Sequence, residues 1–199
     1  MISLRHTLRR ERRKLPFASR SAFDFNINQA LLNSGLLLRS PHIAGYLAND
    51  GEPSISLFIN TCFERNITHY LPVIHKKTLH FSAYASGDSL KNNIFNIPEP
   101  ETRLLIPSKF LSVVLLPLVA YDNQGNRLGM GGGYYDCSLR FLLNSNCKKR
   151  PLLIGIAYSL QCVKHIERQP WDIALDAVVT ENGLECFTTR AKQLLNFLC

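Results

Sequence analysis

The chain of 199 residues is 46% hydrophobic and 19% charged and carries a formal net charge of +8. That length suits one sizeable core, the composition is that of a globular rather than a disordered protein, and no Pro/Gly/Ser linker divides the chain, so residues 1–199 read as a single domain. No apolar stretch approaches the ~20 residues of a membrane span, and the arginine-rich start lacks the apolar segment of a secretory signal, so the expectation is a cytoplasmic protein without a membrane partner.

The charge is unevenly placed. Residues 1–20 hold Arg5, Arg9, Arg10, Arg12, Arg13, Lys14 and Arg20 against Glu11, which is +6 of the total and leaves the remainder near neutral. A segment of this kind is a solvated helix face, a nucleic-acid arm or a donor of one or two cations to a phosphate site, and charge alone favours the first. Six scattered cysteines, with no CxxC pair and no zinc-ligand spacing, predict reduced, mostly buried thiols and no structural metal.

In chain order, Leu4, Leu8 and Leu15 lie at helix-compatible spacing, and a second helical pattern begins near Ser21 and runs through "NINQALLNSGLLL". "HIAGYLA" (His42 to Ala48) predicts a strand, "PSISLFINTCFERN" a helix opened by Pro53, and "HYLPVI" (His69 to Ile74) a second strand, together a βαβ unit. "TLHFSAY" predicts a further strand, followed by a polar connection ending in "NIPEP". The run "SVVLLPLVAY" (Ser112 to Tyr121) is the most apolar of the chain, as befits a central parallel strand buried on both faces. After it, "DCSLRFLLNS" resumes as helix, "LLIGIAY" and "DAVVT" as strands, "LECF" as an edge strand and "TTRAKQLLNFL" as a closing helix. This alternation predicts an α/β fold with a mainly parallel sheet flanked by helices.

Between the central strand and the following helix lies "YDNQGNRLGMGGGYYDCSLRF", with four glycines in the five positions 129–133. Consecutive glycines let backbone N–H groups converge on an anion, and Arg127 adds further donors. GxGxxG and GxxxxGK[ST] do not fit here. Asp136 beside a phosphate pocket calls for a cation such as Mg²⁺ between them, or else serves the start of the helix. Asp172, in "QPWDIALDAVVT", is a second candidate for the same metal.

At this point "LRHTLRRERRKL", "YLANDGEPS", "YLPVI", "NIPEP", the glycine stretch and "PWDIALDAVVT" occur in the order in which they stand in the 5-formyltetrahydrofolate cyclo-ligase (5,10-methenyltetrahydrofolate synthetase) family, bacterial type, which the sequence resembles from about Leu4 to Thr180. The resemblance implies a Rossmann-like fold and an enzyme that uses Mg-ATP to close 5-formyltetrahydrofolate into 5,10-methenyltetrahydrofolate, releasing ADP and phosphate through a phosphorylated formyl group. It implies that Arg5, Arg127, Gly129, Met130, Gly131, Gly132, Gly133, Tyr134 and Tyr135 bind ATP. Leu47, Glu52, Phe95 and Tyr134 would bind the folate, and Asp136 and Asp172 would hold Mg²⁺ directly or through water. It further implies that one N-terminal arginine is functional while most of Arg9 to Lys14 form a solvated face. The partners are the two substrates, not nucleic acid, in a monomer or weak homodimer. The sequence departs from the family at Met1, in place of a lysine, and at Cys137, in place of an arginine; Met130 and Gly132 replace basic residues of some relatives, and Arg140 is a candidate to compensate. The competing readings are a nucleic-acid binding protein using the basic helix and another α/β phosphate-ester or CoA-type enzyme.

Overall fold

Three helices, α1 (Ile2–Lys14), α2 (Phe17–Asn33) and the short α3 (Leu36–Arg39), precede the first strand in the computed structural model, which describes residues 2–101, 104–144, 146–147 and 149–195. There follow β1 (His42–Ala44), α4 (Ser56–Glu64), β2 (Thr68–His75), β3 (Thr78–Tyr84), β4 (Leu90–Asn92), β5 (Pro98–Pro100), β6 (Ile106–Pro107) and β7 (Val113–Pro117). The remainder comprises β8 (Ala120–Tyr121), β9 (Arg127–Leu128), α5 (Tyr134–Leu139), β10 (Leu152–Ile156), β11 (Ala177–Thr180), β12 (Gly183–Cys186) and α6 (Thr189–Leu195). Eight strands form one sheet in the order β12-β11-β10-β7-β1-β2-β3-β6. The five from β11 to β2 are mutually parallel, and β12, β3 and β6 add antiparallel margins.

The centre of the sheet is parallel because its strands can be buried on both faces. Val113 to Leu116 of β7 are all buried. Val113 and Leu115 join Ile43, Phe58 and Ile154 in the core on the α2 and α4 side, while Val114 and Leu116 join Ala44, Leu139 and Leu153 in the core on the α5 side. At roughly 25 cal/mol per Å² of apolar surface removed from water, these two layers supply the main stabilisation of the fold.

The structure corrects several boundaries. The strand expected over 42–48 ends at Ala44, and the chain beyond it forms a loop. The expected helix at Pro53 begins at Ser56, since the Pro53 carbonyl accepts the Tyr46 hydroxyl at 2.7 Å. The second helix starts at Phe17, directly after Pro16, and Gly35 in the left-handed region (φ 75°) separates it from α3. The central strand stops at Pro117, which has no N–H to extend the ladder, and a small antiparallel hairpin, β8–β9, intervenes before the glycine loop. The carboxylate of Asp122 organises its turn by accepting N–H groups from Gln124, Asn126 and Ile166. The polar connection before "NIPEP" is a hairpin as well, β4–β5. The last residues of the expected closing helix lie outside the described residues. Cys62, Cys137, Cys147, Cys162 and Cys186 are free thiols, but only Cys62 is buried, so the expectation of mostly buried cysteines does not hold. Cys199, like Met1, lies outside the described residues.

Candidate active site

Adjacent parallel strands β1 and β7 send their following loops off the same, carboxyl edge of the sheet, where ligands of open α/β sheets sit. Four segments meet there: α1, the loop after β1, the tip of the β4–β5 hairpin and the glycine loop.

Helix α1 is held by a buried arginine. Arg12 is 1% exposed and donates to the Asp50 carbonyl from Nε and Nη2, to the Asp50 carboxylate at 3.2 Å and to the Leu118 carbonyl at 3.1 Å. One guanidinium thus ties the loop after β1 to the exit of β7. Asp50 also receives Arg9 at 2.8 Å and Arg13, and these cations hold its carboxyl below the usual range despite the cost of burial. The expectation that most of Arg9 to Lys14 is a solvated face therefore fails for Arg12 and is modified for Arg9 and Arg13. The signal was present, because Arg12 follows Leu8 by one helical turn and so stands on the apolar stripe.

So anchored, α1 carries Arg5 to the glycine loop, where its Nε donates to the Gly129 carbonyl at 2.9 Å. Gly131 (φ 102°) and Gly133 (φ 67°) occupy the left-handed region that other residues enter only under strain, and α5 begins immediately after them. Met130 and Gly132 are exposed on the same loop. At its base, Arg127 Nη2 lies 2.6 Å from Asp136 Oδ1. The Arg127 side chain is largely buried and its Nε has no protein partner among the described residues, leaving an unsatisfied donor beside the loop.

The hairpin supplies an aromatic wall. Asn93 Oδ1 accepts the N–H groups of Phe95 and Ile97 to shape its tip, and buried Glu99 accepts the Ile74 N–H at 3.0 Å to dock it on β2. Phe95 then meets Tyr134 edge-to-face, with ring centroids 5.5 Å apart. Two residues predicted for one substrate are thus in contact, although 39 positions separate them in the chain.

Leu47 and Glu52 leave β1 in the same loop. Leu47 packs half-buried on the α2 and α4 core, and Glu52 Oε2 accepts the Asn49 N–H at 3.1 Å. Burial pushes the Glu52 carboxyl up to about 7 against the pull of Arg12. Its charge is felt by Tyr46 and by Tyr135, whose hydroxyls burial also shifts upward, and Tyr135 in turn feels Arg127. The charges of Glu52 and Arg127 thus act on Tyr135 from the loop after β1 and from the base of the glycine loop.

The two acids expected at a metal lie near one another but already have partners. Asp136 Oδ1 takes Arg127 and, at 3.4 Å, the Ile173 N–H, while the neighbouring Asp172 accepts the Gln169 N–H through Oδ2 at 2.8 Å. Among the described residues no group of three or more His, Cys, Asp and Glu side chains is placed to hold a metal. Asp136 Oδ2 and Asp172 Oδ1 have no protein hydrogen bond among the described residues. One available oxygen on each acid fits Mg²⁺, which takes one or two carboxylates and completes its shell with phosphate oxygens and water.

A mainly parallel α/β sheet carries a glycine loop with Arg5 and Arg127 at its carboxyl edge, an arrangement whose donors suit an anion and which defines an open-sheet α/β protein. The sequence matches the 5-formyltetrahydrofolate cyclo-ligase family over residues 2–181, and the chain belongs to that family. It is 34% identical over 177 residues to a 5-formyltetrahydrofolate cyclo-ligase of Haemophilus influenzae, covering 86% of this chain and 92% of that one. It is 37% identical over 143 residues to that of Escherichia coli K12, covering 69% and 76%. The NMR structure of Aquifex aeolicus 5,10-methenyltetrahydrofolate synthetase superposes with a TM-score of 0.81 at 25% identity, over 93% of this chain and 91% of that one.

Proposed function

We propose that the protein cyclises 5-formyltetrahydrofolate to 5,10-methenyltetrahydrofolate at the expense of ATP, in the cytoplasm, with the glycine loop between the two substrates. The observation that carries this reading is that the loop is touched on one side by a cation, Arg5 on Gly129, and on the other by an aromatic wall, Phe95 on Tyr134. Phosphates lie against the N–H groups of 129–133 with Arg5 and Arg127, and the pterin lies between Phe95, Tyr134, Leu47 and Glu52.

In the reaction the formyl oxygen attacks the γ-phosphorus and ADP leaves. N10 then adds to the activated carbon and loses its proton, and the former formyl oxygen departs on inorganic phosphate. The chain's task is to position two substrates and meet the negative charge of the transferring phosphoryl group, to which fixed N–H groups and guanidinium donors contribute without reorganisation. Tyr134 and Phe95 shield the formyl group from water, and Glu52 accepts hydrogen bonds from the pterin. Asp136 and Asp172 would hold Mg²⁺, which when bound would neutralise charge on the ATP phosphates.

The basic segment is poorly suited to nucleic acid, because Arg9, Arg12 and Arg13 are turned to Asp50. Ultraviolet absorbance of methenyltetrahydrofolate tests the proposal. Product is expected only when 5-formyltetrahydrofolate, ATP and Mg²⁺ are all present, and its absence from the complete mixture overturns the reading.

A further inference from the structure

A second cavity opens at the opposite edge of the sheet. It has a volume of about 780 Å³ and is lined by the first residues of β1, β7 and β10, namely His42, Val113 and Leu152. That volume lies within the roughly 300–1,000 Å³ usual for small-ligand sites. It stands apart from the glycine loop by the length of β7, about 16 Å at ~3.3 Å per residue.

The cavity combines a basic rim with an apolar floor. Arg39, Lys109, Lys149, Arg150 and Arg190 line it, and among the described residues no carboxylate does. Outside residues 1–20 the whole chain is only +2, so five cations gathered at one mouth mark a strong local segregation of charge. Within a Debye length of about 8 Å like charges repel, and a polyvalent anion relieves that repulsion. The floor is built from Leu36, Leu111, Val113 and Leu152, and Phe110 stands at the edge, 54% exposed, with the Lys109 ammonium 5.2 Å from its ring centroid. Arg190 donates to the Pro151 and Arg150 carbonyls, which fixes one cation against the chain segment that bears Lys149 and Arg150.

We infer that this cavity is a second site, separate from the glycine loop, for a nucleotide-class ligand. Its phosphate lies among Lys149, Arg150 and Arg190, and its aromatic ring lies on Phe110 and the aliphatic floor. More than one unit of negative charge is called for by the number of cations, and a flat apolar body by the exposed ring and the floor. A phosphate monoester of a nucleoside carries both.

The probe is N-methylanthraniloyl-labelled adenosine monophosphate, titrated by fluorescence into the full chain carrying Arg127→Ala, which weakens capture at the glycine loop. Saturable binding is expected, weakened about tenfold or more when Lys149→Glu and Arg150→Glu are added, in line with the loss of charged hydrogen bonds. The pair Lys149→Gln and Arg150→Gln should give a smaller loss, and Lys149→Glu with Arg150→Glu placed in the otherwise wild-type chain should keep the wild-type melting temperature and turnover. Phe110→Ser should weaken the labelled nucleotide while leaving competition by inorganic phosphate unchanged. Binding that is insensitive to the charge reversal, or that vanishes with Arg127→Ala alone, overturns the second site. Equal potency of inorganic phosphate and adenosine monophosphate as competitors overturns the nucleotide assignment, as does far tighter binding of a short single-stranded RNA to the same residues.

Discussion

Arg127 and Asp136, nine residues apart, meet at 2.6 Å and close the glycine loop at its base. Their pairing places a guanidinium and a carboxylate at the two ends of the glycine-rich segment, and Arg127 Nε has no hydrogen-bond partner among the described residues. The two residues should therefore act as a unit. Arg127→Ala is expected to raise the KM for ATP about tenfold to a hundredfold, with little change in that for the folate. Asp136→Asn should lower turnover and raise the Mg²⁺ concentration for half activity. In a double-mutant cycle on kcat/KM the combined loss should depart from the sum by about 0.5–3 kcal/mol, as contacting residues do. Additive losses would separate the residues.

The glycines differ in what they contribute. Gly131 and Gly133 have positive φ, whereas an added Cβ at Gly129 meets nothing within 4 Å and its φ is ordinary. Gly131→Ala and Gly133→Ala should each cost about 1–3 kcal/mol in chemical denaturation through backbone strain, with Gly129→Ala near neutral. Equal effects at all three positions would contradict the assigned conformations.

Arg12 holds two loop carbonyls as well as the Asp50 carboxylate. Arg12→Met keeps much of its length but leaves the Asp50 and Leu118 carbonyls without this donor, while the Asp50 carboxylate retains Arg9 and Arg13, so a loss of about 1–3 kcal/mol is expected. Because Arg5 reaches Gly129 from the same helix, the KM for ATP should rise too. A fully stable Arg12→Met chain would show that the staple is dispensable.

Two buried groups drive stability in opposite directions with pH. Glu52 rises from 4.5 to about 7, so its contribution is full below 4.5 and is lost as pH rises through 7. His69 falls from 6.5 to about 4 because burial disfavours the cation, and neither ring nitrogen has a hydrogen-bond partner among the described residues, so its contribution is present above 6.5 and is lost as pH falls through 4. Relative to wild type, Glu52→Gln should become comparatively more stable as pH rises from about 5 to 7.5, and His69→Leu as pH falls from about 6.5 to 4. Thermal melts across this range read both, and parallel curves for all three proteins would exclude the assignments.

At the pterin wall, Phe95→Ala removes the edge-to-face partner of Tyr134. The KM for 5-formyltetrahydrofolate should rise about three- to tenfold, matching the ~0.5–1.5 kcal/mol of an aromatic pair, while the KM for ATP stays constant.

The apolar run of β7 and the β1–α4–β2 unit were legible from the sequence because a strand buried on both faces leaves a continuous hydrophobic signature. The glycine loop was legible because no packed element tolerates that composition. The hairpins β4–β5 and β8–β9 were not, since strands of two or three residues leave no alternation to read and their shape is set by Asn93 and Asp122 bonding back to the main chain. Arg12 was obscured by its neighbours, because a buried guanidinium inside a run of arginines looks like one more solvated charge until Asp50 and Leu118 are seen to receive it. The contact of Phe95 with Tyr134 depends on where Glu99 docks the hairpin, a long-range relationship that no local pattern encodes.

Supplying 5-formyltetrahydrofolate labelled with oxygen-18 in the formyl group, together with Mg-ATP, tests the central claim most directly. Ring closure is followed by absorbance and the label by phosphorus NMR of the released phosphate. Cyclisation through a phosphorylated formyl group predicts methenyltetrahydrofolate and inorganic phosphate in equal amounts, with the label in the phosphate. Absence of ring closure, or ring closure with unlabelled phosphate, would contradict the account.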